Sequence, residues 1–141
     1  MKPFMPRPRV AVIDDEQIVA DTLAHILNMS GYQAKAHYSG ESAIADAKVF
    51  RPQTILSDVR MSKIDGIETA IRIRESQPEC RIILFTASPL RIEIHERISA
   101  LGFEFLQRPL HPQEVLNMLR DGSPISRGLT EKVCRTELFG F

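Results

Sequence analysis

Four short apolar runs in this sequence end in residues that can do chemistry. Arg9-Val-Ala-Val-Ile runs into Asp14-Asp15, Thr54-Ile-Leu-Ser into Asp58, Arg81-Ile-Ile-Leu-Phe into Thr86, and Phe103-Glu-Phe-Leu-Gln into Arg108-Pro109. Carboxylates brought together repel one another, so they either hold protons or need a cation. Hard oxygen donors suit Mg2+, or Mn2+ in its place. Mg2+ takes one or two carboxylates and keeps several waters. A hydroxyl and a cation beside such an ion add donors for a phosphoryl group, whose transfer depends mostly on positioning and charge neutralisation. A carboxylate can also be the nucleophile itself, which gives an aspartyl phosphate.

The intervening segments must bring these ends together. Val19, Leu23, Ile26 and Leu27 draw one stripe on a helix over residues 16–29, and Ser30-Gly31 stops it. Residues 32–38 form a weaker strand. Ser39-Gly40-Glu41 opens a second helix with Ala43, Ile44 and Ala47 on one face, and Arg51-Pro52 ends it. Asp65 and Glu68 are spaced as a capping box for a third helix, which Pro78 closes. A fourth helix is expected over 89–101 and a fifth over 112–120. Strand and helix alternate five times, which predicts a doubly wound five-stranded parallel (βα)5 sheet with helices on both faces. In such sheets ligands bind at the carboxyl ends of the strands, where Asp14, Asp15, Asp58, Thr86 and Arg108 stand.

Composition narrows the function classes. The 141 residues suffice for one domain, and 43% hydrophobic with 26% charged residues is the balance of a globular protein. Eighteen basic and eighteen acidic side chains cancel, which argues against direct nucleic-acid binding. No apolar run approaches the roughly 18 residues of a membrane span, so no membrane insertion is expected. Cys80 and Cys134 form neither a disulfide framework nor a CxxC metal site, and suit a reducing cytoplasm. The four histidines show no metal-ligand spacing. A P-loop would need GxxxxGK[ST] and a dinucleotide site GxGxxG; the loop after the first strand reads Asp-Asp-Glu-Gln instead.

Val12-Ile-Asp-Asp-Glu16, Asp58-Val-Arg-Met-Ser-Lys-Ile-Asp-Gly66, Phe85-Thr-Ala87 and Phe105-Leu-Gln-Arg-Pro109 resemble, in order, the motifs of the receiver domain of bacterial two-component response regulators. The resemblance covers about residues 9–120. It implies a flavodoxin-like α/β fold with the strand order 2-1-3-4-5. It implies Asp58 as phosphoacceptor from a sensor histidine kinase or phosphotransfer protein. It implies Mg2+ held by Asp15, Asp58 and the backbone carbonyl of Arg60, with Asp14 acting through water. Thr86 would bind the arriving phosphoryl oxygen, and Phe105 occupies an aromatic switch position that rotates inward when the threonine moves. Two positions depart from the family pattern. Arg108 replaces the usual lysine, exchanging a compact point charge for a longer planar fork. Ser62 stands where proline usually follows Met61.

Residues 1–8 are expected to be an extended arm and 121–141 a tail too short for an output domain. The expected function is a stand-alone, phosphorylation-controlled signalling module, not an enzyme apart from its own phosphorylation and dephosphorylation. It would signal through a downstream protein partner or a homodimer on the face of helix 4, strand 5 and helix 5. Leu138, Phe139 and Phe141 of the tail could cover that face. Two other readings compete: a pseudo-receiver scaffold whose switch Arg108 has uncoupled, and a small Mg2+-dependent phosphohydrolase, which the shortage of chain for a substrate pocket disfavours.

Overall fold

A computed structural model describes residues 6–86, 89–107 and 110–121. Its elements are β1 (Arg9–Ile13), α1 (Gln17–Met29), β2 (Gln33–His37), α2 (Gly40–Phe50), β3 (Thr54–Asp58), α3 (Gly66–Ser76), β4 (Arg81–Thr86), α4 (Ile92–Ala100), β5 (Glu104–Gln107) and α5 (Pro112–Asp121). The strands form one parallel sheet, as the alternation of elements predicts, in the order β2-β1-β3-β4-β5 that the resemblance implies. The central strands β1, β3 and β4 are buried almost throughout. Edge strand β2 alternates, with Gln33 and Lys35 exposed. A lysine on an exposed edge discourages pairing with another chain.

Successive strand residues point to opposite faces, and this splits the core in two. Val10, Val12, Leu56, Ile83, Phe85 and Leu106 pack against Leu23 and Leu27 of α1 and Val115 and Met118 of α5. On the other face, Ala11, Ile13, Ile55, Ile82, Leu84 and Phe105 meet Ala43 and Ala47 of α2, Ile73 of α3 and Ile98 of α4.

The amino end of the sheet is fastened by arginines. Arg9 Nε donates to the Arg51 carbonyl at 2.8 Å, at the end of α2. Arg74 Nη1 donates to the Leu101 carbonyl at 3.1 Å, at the end of α4. Arg81 Nη1 donates to the Met118 carbonyl at 2.8 Å, in the last turn of α5. Arg7 Nη2 likewise reaches the Asn28 carbonyl at the end of α1. The last carbonyls of a helix lack partners within it and carry the negative end of its dipole, so each cation answers both needs.

Two helix starts differ from the sequence reading. The fourth helix begins at Ile92, because the chain stays extended through Arg91 (φ −65°, ψ 152°) and lays Leu90 against the core. At α3, Asp65 does accept the Glu68 N–H at 2.8 Å, but the Glu68 carboxylate pairs with Arg72 one turn on. The cap is therefore one-sided.

Candidate functional site

The carboxyl ends of β1, β3 and β4 gather the expected side chains. Asp14 is fully buried just beyond β1. Its N–H donates to the His37 carbonyl at 3.0 Å, and its Oδ1 accepts the Glu16 N–H at 2.9 Å. The Asp14 carboxylate thus serves the entrance to α1, where the N-cap residue Glu16 makes no side-chain cap bond of its own. Asp15 is exposed. Asp58, the last residue of β3, is 8% exposed, and its Oδ1 accepts the Arg60 N–H at 3.2 Å.

One carboxylate oxygen each from Asp14, Asp15 and Asp58 lies within 4.8 Å of the others. Two ligands of an octahedral Mg2+, bound at about 2.0–2.1 Å, sit about 3 Å apart when adjacent and about 4 Å when opposite. A cluster this compact can converge on one such ion, directly or through its waters.

The backbone of β3 around Asp58 is held from behind. Val59 donates its N–H to the Phe85 carbonyl at 2.9 Å, and Gly66 donates to the Val59 carbonyl at 2.8 Å. A Cβ on Gly66 would stand 2.0 Å from the Asp58 carbonyl oxygen, so only glycine permits this approach. Ser57 Oγ donates to that same Asp58 carbonyl at 3.0 Å. Sequence alone shows neither role: Gly66 is there only the close of the Asp58-to-Gly66 motif. The available signal was Ser57 itself, a polar residue inside an apolar strand.

Thr86 is 1% exposed at the end of β4, and Phe105 is 4% exposed on β5. Leu84 is in register with Phe105, so alternation puts Thr86 and Phe105 on the same face of the sheet. The Phe105 ring meets His95 of α4 edge-on, with centroids 5.0 Å apart and planes at 80°. Arg108 and the tail over 122–141 lie outside the described residues. Cys80 is buried before β4, and burial pushes its thiol up to about 12, which marks a packing residue.

The sequence matches the response regulator receiver domain over residues 10–120. The chain belongs to that family. Receiver domains are the signalling modules of two-component systems, and they are not enzymes in the usual sense. Among relatives, this receiver is 28% identical over 115 residues to the response regulator MprA of Mycobacterium avium, covering 79% of this chain and 49% of that one. It is 28% identical over 107 residues to the alkaline phosphatase synthesis transcriptional regulatory protein PhoP of Bacillus subtilis, covering 76% and 45%. The chain thus spans about half the length of these curated relatives. The solved chemotaxis protein CheY4 of Vibrio cholerae superposes with a TM-score of 0.73 at 26% identity, over 82% of this chain and 98% of that one. No helix among the described residues is long and apolar enough to cross a membrane.

Proposed function

We propose that Asp58 is the phosphoacceptor, loaded from a phosphohistidine on a sensor histidine kinase or phosphotransfer protein. The observation that carries this is the cluster of three carboxylate oxygens within 4.8 Å at the end of β3. Asp15, Asp58 and the Arg60 carbonyl would hold Mg2+, with Asp14 acting through water. The ion would offset the charge that the carboxylates and the incoming phosphoryl oxygens share. The Asp58 carboxylate attacks phosphorus, the P–N bond to the donor imidazole breaks, and its electron pair returns to the ring nitrogen. The Thr86 hydroxyl then donates to a phosphoryl oxygen, and Arg108 neutralises another. Output passes to a protein partner or a second copy through the face of α4, β5 and α5, in the cytoplasm.

The test is incubation with Mg2+ and acetyl phosphate followed by intact-mass analysis. One added phosphoryl group is expected, absent without Mg2+ and absent in Asp58→Asn, whose neutral amide is no nucleophile. The same mass gain in the Asn variant would refute the assignment.

The scaffold reading rests on Arg108 standing where lysine is usual, which would uncouple the switch. Under this reading the phosphorylated and unmodified forms bind a partner equally, whereas the leading reading expects them to differ.

A further inference from the structure

Among the described residues, an apolar groove of about 320 Å³ opens between α1 and the start of α5. Ile18, Val19, Leu23 and Ile26 form its α1 wall, with Leu110 and Pro112 opposite. Ile18 is 81% exposed and stands three residues after Asp15, so the groove borders the carboxylate cluster. It shares α5 with the α4, β5 and α5 face, but its other wall is α1. We propose that this groove is the docking seat of the chain's own C-terminal segment, with Leu138, Phe139 and Phe141 as the inserted side chains.

The argument rests on continuity, reach and chemistry. The segment leaves from Asp121 at the far end of α5, the helix whose first residue, Pro112, lines the groove. α5 has ten residues and is roughly 15 Å long. Leu138 lies 17 residues beyond Asp121, a span that reaches roughly 55 Å when extended and averages about 23 Å as a flexible coil. The distance back along α5 is well within that range. Tethering on this scale supplies an effective concentration on the order of millimolar, so modest contacts suffice. The lining carries no charged side chain, and the segment offers Leu138, Phe139 and Phe141, while Glu131, Lys132, Arg135 and Glu137 can remain in water. Docking there would place the segment at the rim of the Asp14, Asp15 and Asp58 cluster. That consequence rests on the phosphoacceptor reading; the docking itself does not.

The cysteines allow a direct test on the full chain. Cys80 is buried with its thiol pushed up to about 12, so a thiol-specific nitroxide attaches to Cys134. The expected result is broadening of the amide signals of Ile18, Thr22, Ile26 and Leu110 at least several-fold beyond that of Lys48 and Glu75 on the α2 and α3 side. Phe139→Ser with Phe141→Ser should reduce it to the level of those two controls. In a mixture of isotope-labelled chain and separately nitroxide-labelled chain, broadening should be absent. Broadening centred on Ile92 and Leu116, uniform broadening, persistence in the double Ser variant, or broadening in the mixture would each overturn the proposal. Because no phosphoryl transfer is involved, failure here leaves the role of Asp58 untouched.

Discussion

The two ends of the sheet handle charge in opposite ways. At the amino end, Arg9, Arg74 and Arg81 each donate to the carbonyl that closes a neighbouring helix, and Arg81 also grips Glu104 with two nitrogens, at 2.5 and 2.7 Å. Unlike charges and orphan acceptors are matched there. At the carboxyl end, three carboxylates converge within 4.8 Å, Asp14 fully buried among them. Like charges gathered in a partly buried place cost stability unless a cation joins them. The difference separates a part of the molecule built for holding together from a part built for binding. Functional sites commonly give up stability that the rest of the fold supplies.

Substitutions at the two ends should therefore behave differently. The largest effect is expected from Gly66→Ala at the carboxyl end, where the new methyl meets a backbone carbonyl that cannot swing aside. Overpacking of this kind costs about 3 kcal/mol, and the displaced Asp58 should lose Mg2+-dependent phosphorylation as well. Urea unfolding and intact mass measure the two losses separately. At the amino end, Arg81→Ala should destabilise by about 2 kcal/mol with phosphorylation retained, because it strands the half-buried Glu104 carboxylate and the Met118 carbonyl. An equal loss of phosphorylation in this variant would erase the division between the ends.

Asp14→Asn tests the opposite sign. It keeps an oxygen to accept the Glu16 N–H while removing one buried like charge, so it should stabilise the metal-free protein by about 1 kcal/mol. The stabilisation that Mg2+ gives the unmodified chain should shrink in this variant, as thermal unfolding with and without the ion would show.

The smallest effect concerns His37, which lies beside this end. Burial holds its imidazole below the ordinary value of 6.5, the Asp46 carboxylate pulls it up in part, and the Lys35 ammonium pushes it further down. The unfolded chain therefore takes up a proton at a higher pH than the folded one. The stability His37 contributes is fully present above about pH 6.5 and is lost as the pH falls below it. Replacement by Gln should flatten the free energy of urea unfolding against pH across that window, by under about 1.4 kcal/mol per pH unit.

The sequence by itself determined the strands, their order of occurrence and the residue types at their ends. Arg9–Ile13, Thr54–Asp58 and Arg81–Thr86 are written in runs of β-branched and aliphatic residues, and the helices in stripes of period near 3.6. These are local signals, read within a window of a dozen residues. The start of α4 was missed by three residues because its extended entry is set by Leu90 finding the core, not by a cap. Tertiary structure alone decided what depends on partners far apart in the chain. Arg81 meets Met118 across 37 residues, Arg9 meets Arg51 across 42, and Ile18 shares a groove with Leu110. The glycine at 66 is explained only by a carbonyl at 58 that packs against it once β3 and α3 are in place. Periodicity records which way a side chain faces; which atom it meets is set only when the sheet has closed.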